Sequence, residues 1–134
     1  MSEHPNAAVI RSAYEAMDKA DVAAFAAMLD DDITWYESTS GIEGVYRGRD
    51  EVMAFLGQVF QQPGMQMSVA IHDILANDEH AVILHESTIT VGDHSHTGQY
   101  ADVYHLRDGK ITAHWHLAVD AKADAEFASK AFAS

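Results

Sequence analysis

Hydrophobic residues in this chain change their period at Pro63-Gly64. Before that point they recur every three to four residues; after it they alternate. A 3.6-residue period buries one face of a helix, and a two-residue period buries one face of a strand. Helices first and strands afterwards is the α+β pattern, with helices packed on one face of an antiparallel sheet.

The individual elements follow from the same reading. Val9, Ala13, Ala16, Met17 and Ala20 lie at helical spacing. Asp21 is a good N-cap for a short second helix whose stripe is Val22, Phe25, Ala26 and Leu29. The acids Asp30, Asp31 and Asp32 would oppose that helix's macrodipole, so they are expected in a loop. Ile33, Thr34, Trp35 and Tyr36 favour a strand. Residues 38–48 hold Gly41, Gly44 and Gly48 and read as a loop with a short strand at Val45-Tyr46. Val52, Phe55, Leu56, Val59 and Phe60 form the clearest amphipathic stripe, ended by Pro63-Gly64. Residues 65–117 read as four strands, with turns at Asn77-Asp78, at Gly92-Asp93-His94 and at Asp108-Gly109. Asp120 is placed to cap a last alanine-rich helix that carries Phe127 and Phe132.

At 134 residues the chain is expected to be a single domain, 1–134. It contains no cysteine, which excludes thiol chemistry and fits a reducing cytoplasm. Lys+Arg is 8 against 21 Asp+Glu, a formal charge of -13. Such a surface repels nucleic-acid phosphates and anionic lipid, so neither is expected as a partner. It also favours a neutral over an anionic ligand. No apolar run approaches the ~20 residues that span a membrane, and the N-terminus lacks the basic start and apolar core of a signal peptide.

Several segments together resemble the nuclear transport factor 2-like superfamily, in its ketosteroid isomerase and SnoaL-like polyketide cyclase branch. They are Tyr14-Glu15-Ala16-Met17 with Asp21; Asp31-Asp32-Ile33-Thr34-Trp35; Gly44-Val45-Tyr46-Arg47-Gly48-Arg49; and Leu106-Arg107-Asp108-Gly109-Lys110-Ile111 with Trp115. The resemblance implies a cone-shaped, curved antiparallel sheet against three helices of the N-terminal half, enclosing one pocket. It also implies a homodimer formed through the sheet's outer face, with Trp115 as an anchor. The fold hosts isomerases, cyclases, dehydratases and plain binders, so it does not choose among them.

Strand alternation and the resemblance nominate the site residues. Asp102 lies mid-strand between Tyr100 and Tyr104; it is either a solvated carboxylate or a pocket group. In the ketosteroid isomerase branch the matching aspartate stays protonated and donates a hydrogen bond to an oxyanion. Glu37 matches the spacing of that branch's catalytic base, an aspartate there, and is otherwise a surface glutamate at a strand end. His114 and His116 flank Trp115, so both share one face, by position that of the pocket. They are candidates for a general base, for a polar pair or for metal ligands; a metal would need a third ligand such as His85 or Glu86. No metal or other cofactor is expected. Tyr14, Trp35, Phe55, Tyr100 and Tyr104 are the expected pocket lining. In an ungapped match the isomerase's oxyanion tyrosine falls on Ala13, with Tyr14 about 100° further round the helix. His94 and His96 sit at a turn and are expected to face solvent. Asp120 lies where the cyclases keep an acid, or merely caps the last helix. The epoxide hydrolase pattern is rejected because His116 and Leu117 follow Trp115.

These residues point to a cofactor-free isomerase, cyclase or lyase that moves a proton beside a carbonyl of a small, neutral, hydrophobic molecule. The alternative is a protein of the same fold that binds such a ligand without catalysis, or one whose pocket is vestigial.

Overall fold

The computed structural model describes residues 3–39 and 42–132 of the chain. Gly41, one of the three loop glycines, lies outside the described residues. Helix α1 (Pro5–Asp18) has Pro5 at its start, where the lost N–H costs nothing. Its inward face carries Ile10, Ala13, Tyr14 and Ala16. In α2 (Val22–Ala27) the Asp21 carboxylate accepts the Ala24 N–H at 3.1 Å, as the cap position requires. Then come β1 (Leu29–Glu37), β2 (Gly44–Arg47), α3 (Arg49–Phe60), β3 (Gln66–Ala76), β4 (His80–Val91), β5 (His94–Arg107), β6 (Lys110–Ala118) and α4 (Ala121–Ala131).

The α2–β1 junction departs from the sequence reading. Leu29 belongs to β1 and not to the α2 stripe, and the three acids are strand and not loop. Leu29 and Ile33, both 0 % exposed, pin the two ends of the acidic run into the core. Between them the register against β6 shifts, so a bulge absorbs the acids. Asp31 pairs with Arg49 at 2.5 Å and Asp30 with Arg107 at 3.8 Å.

The six strands form one curved sheet in the order β2-β1-β6-β5-β4-β3. All pairings are antiparallel except β1 with β6, which is parallel. These two strands meet from opposite ends of the domain, so no hairpin dictates their direction. The β5–β6 turn has positive φ at both Asp108 and Gly109, the conformation of a tight hairpin turn. Asp120 caps α4 by accepting the Ala123 N–H at 3.0 Å, and its carboxylate is exposed there.

Helices α1, α3 and α4 pack on the sheet and enclose its concave side, giving the cone. Ile10, Leu29, Ile33, Val52, Ile83 and Ile111 form the fully buried centre. Burial of each such side chain stabilises by about 1.5–3 kcal/mol. The convex side carries exposed Leu75 and Leu117, with Tyr36 stacked on Trp115 at 4.9 Å. No helix among the described residues is long and apolar enough to cross a membrane.

Gly48 joins β2 to α3 with φ of 88° and donates its N–H to the Ile33 carbonyl at 2.8 Å. A side chain there has room but not the backbone freedom. Gly48→Ala is therefore expected to lower stability by about 1–2 kcal/mol, measurable as a reduced urea midpoint with unchanged slope.

Candidate functional site

Strand register assembles the centre of the cone. Asp102 on β5 is the cross-strand partner of His116 on β6, and Tyr104 that of His114. Tyr100 pairs across to His85 on β4, and Trp35 on β1 pairs with His114. Opposed side chains on neighbouring strands share a face. A cavity of about 150 Å³ results, lined among others by Tyr14, Trp35, Glu37, Phe55, His85, Tyr100, Asp102, Tyr104, His114 and His116. Among the described residues, no lysine or arginine lines it.

Asp102 is the hub, and it is 5 % exposed. His116 Nδ1 lies 2.5 Å from Oδ1. The Tyr14 hydroxyl donates to Oδ2 at 2.6 Å, and His114 Nε2 and His85 Nε2 both lie 3.4 Å from Oδ2. Tyr104 OH meets Tyr14 OH at 2.8 Å. Tyr14 therefore reaches the pocket from its place on α1, and Ala13 takes no part in this network. Rings close the remaining gaps: Trp35 lies on His114 with centroids 3.8 Å apart, and Tyr100 on His116 at 4.5 Å.

The electrostatics correct one expectation. Burial disfavours charge on Asp102, but the surrounding imidazoles of His114, His116 and His85 outweigh it and hold the carboxyl well below its ordinary value. Asp102 is thus an ionised acceptor and not the neutral donor expected from the isomerase resemblance. Burial alone would lower His116, yet its hydrogen bond to Asp102 and that residue's charge raise it above the usual histidine value. Burial and the neighbouring carboxylate push the Tyr14 phenol well up, so it stays a donor.

Glu37 stands at the edge of this cluster. Its oxygens accept from Trp35 Nε1 at 3.1 Å and from the Thr39 hydroxyl at 2.6 Å. It lines the cavity, and these contacts commit both of its oxygens. His96, expected in solvent, instead lies in β5 with its ring stacked on Phe127 at 5.3 Å and Nε2 3.8 Å from Asp124. His94 is exposed as expected.

The sequence reading underrates His85, treating it only as a spare metal ligand, and passes over Ser87. Alternation along β4 puts Ala81, Ile83, His85 and Ser87 on the buried face, the signal that would have found both. His85 Nδ1 meets Ser87 Oγ at 2.7 Å, while its buried Nε2 approaches Asp102 Oδ2 at 3.4 Å without making an aligned hydrogen bond among the described residues. His85, Asp102 and His116 each offer one atom within 4.8 Å of the others, so they could hold a metal. Glu86 faces outward. Three protein ligands suffice for an open catalytic site, but here the His116–Asp102 distance is that of a hydrogen bond.

A family model for the SnoaL-like domain matches residues 10–114. No curated protein matches the chain significantly. Among solved structures, a nuclear transport factor 2-like protein of unknown function from Burkholderia pseudomallei aligns at a TM-score of 0.83 and 22% identity, covering 98% of this chain and 100% of that one. TerC co-crystallised with polyporic acid aligns at 0.82 and 21%, covering 94% and 99%. An LEH-like epoxide hydrolase of M. tuberculosis aligns at 0.77 and 18%, covering 95% and 91%. At these identities the likeness is one of fold.

The depressed Asp102 value makes a stability prediction. Its ionised form favours the folded state above the ordinary value of 3.8, and that contribution is lost as pH falls through the lower folded value. Asp102→Asn should cost about 3–5 kcal/mol at neutral pH and show a smaller loss than wild type on acidification from pH 5 to pH 2. Urea denaturation across that range checks both; equal acid dependence would contradict an ionised, paired Asp102.

Proposed function

Since the chain belongs to the SnoaL-like domain family, we propose that it is a cofactor-free isomerase, cyclase or lyase acting by proton transfer next to a carbonyl. The observation that carries this reading is the His116–Asp102 contact at 2.5 Å inside the cavity. With Nδ1 committed to Asp102, Nε2 is the ring nitrogen left to meet a substrate. Asp102 orients the imidazole and stabilises the imidazolium that forms when a proton arrives. Tyr14 and His114 hold Asp102 in place from two other elements.

The proposed step is a carbon-acid deprotonation. The C–H bond beside the carbonyl breaks, its proton moves to His116 Nε2, and its electron pair moves onto the carbonyl oxygen. The His85 Nε2–H is the proposed donor to that oxygen, with the Ser87 hydroxyl donating to Nδ1 and so selecting the tautomer. Return of the proton at another carbon gives an isomerase; loss of a β-substituent gives a lyase; attack on a second carbonyl gives a cyclase. Glu37 in this scheme orients Trp35 and Thr39 at the edge and is not the base. A neutral hydrophobic substrate agrees with a described lining free of lysine and arginine and with the formal charge of -13.

The same reading includes a homodimer. The convex sheet face offers Trp115 stacked on Tyr36, with Leu75 and Leu117 more than half exposed. A cytoplasmic location is proposed on the lack of cysteine.

Proton–deuteron exchange beside the carbonyl of 2-butanone in D2O, followed by NMR, tests the chemistry. Wild type should accelerate it, and His116→Gln or Asp102→Asn should lose about 10²–10⁴-fold. Because Asp102 raises the His116 value, the wild-type rate should climb with pH through a point above histidine's ordinary 6.5. In Asp102→Asn that limb should move to lower pH. EDTA should change nothing. Binding of ketone with no exchange in wild type would leave the non-catalytic binder as the correct reading. For the assembly, sedimentation should give a dimer at micromolar concentration and a monomer for Leu117→Arg; a monomeric wild type would refute the interface.

A further inference from the structure

The cavity at Asp102 is not alone. A second one, of about 330 Å³, lies among α1, α2 and α3. Met17, Leu56, Phe60 and Met65 line both, so the two spaces share a wall made of flexible side chains. Among the described residues Asp21 is the one charged group on the second cavity, and its carboxylate is engaged in capping α2. Every other lining residue is apolar, and Val22 and Phe60 carry the lining out to solvent at 63% and 42% exposure.

Size decides how these spaces relate. Pockets for small organic ligands run to ~300–1,000 Å³. The inner cavity, at about 150 Å³, holds only the reacting end of such a molecule. The second brings the total into the usual range, but it has no polar group suited to chemistry. The division is also chemical. Rings and hydrogen-bonding groups crowd the inner space, whereas the outer one, Asp21 apart, is walled by apolar side chains, and the methionines Met17 and Met65 on the shared wall and Met53 beyond it re-pack around a linear chain.

We propose that the α1–α2–α3 chamber is the tail subsite of the same site, and that the ligand is an uncharged amphiphile. Its small carbonyl head sits at Asp102 and His116, and its aliphatic chain passes Met17 and Leu56 into the chamber. The assignment of the head rests on the function proposed above; the tail subsite does not depend on catalysis.

A series of 2-alkanones from 2-butanone to 2-decanone provides the test, with binding measured by calorimetry. Once the inner cavity is full, each added methylene should tighten binding about fourfold, the ratio that corresponds to ~0.8 kcal/mol per buried CH₂. Gly57 lines only the chamber, and a Cβ built there meets nothing within 4 Å. Gly57→Leu, with its fold checked by circular dichroism, should flatten the series at its long end. Methionine methyl NMR gives a readout that needs no variant. Met67 lines only the inner cavity and Met53 only the chamber. 2-Butanone should shift Met67 and leave Met53 unmoved, and 2-decanone should shift both. A flat wild-type series, or a Met53 signal blind to 2-decanone, would overturn the tail subsite. Carbonyl exchange that is lost in Asp102→Asn would still support the proposed chemistry in that event. Conversely, a chain-length dependence in a protein that exchanges no protons would keep the subsite and remove the catalytic reading.

Discussion

A carboxylate shut away from water must be met by donors, and Asp102 imposes that demand on the whole cone. Leaving such a charge unpaired costs several kcal/mol. Its neighbours come from three other elements: Tyr14 from α1, His85 from β4, and His114 and His116 from β6. The docking of α1 and the register of three strands therefore converge on one group. A slip of one residue between β5 and β6 would turn every side chain of one strand to the other face, and the carboxylate would lose its partners.

The same network sorts the ionisable groups into roles. Asp102 is driven towards its charged form, His116 towards its protonated form, and Tyr14 away from ionisation. Environments that push neighbouring groups apart in this way are what acid–base chemistry needs. The aromatic rings contribute by position. Trp35 and Tyr100 cover two of the imidazoles and restrict their rotation. Tyr100 also donates to Asp124 on α4 at 2.5 Å, which ties the last helix to the site.

Much of the fold was legible in residue spacing. The α3 stripe with Val52 and Phe55, the caps at Asp21 and Asp120 and the turn at Asp108-Gly109 were each read from local chemistry, because each is decided within a few residues. The acidic run 30–32 is strand rather than the loop its local charge suggests, for the opposite reason. Its conformation is set by the burial of Leu29 and Ile33 and by Arg49 and Arg107, which lie far off in sequence. The parallel pairing of β1 with β6 is equally non-local. His96 likewise left its expected place in solvent because Phe127, on α4, supplies a surface for its ring.

By itself, the sequence determined that helices precede a sheet, that His114 and His116 share a face, and that Asp102, Tyr100 and Tyr104 share another row. Periodicity suffices for that, since a side chain's direction along one element depends only on backbone geometry. Tertiary structure decided that Asp102 is ionised, that Tyr14 rather than Ala13 reaches it, and that His85 joins the cluster. A pKa depends on which groups lie within a few ångströms and on how much water remains, and neither is written in any single strand.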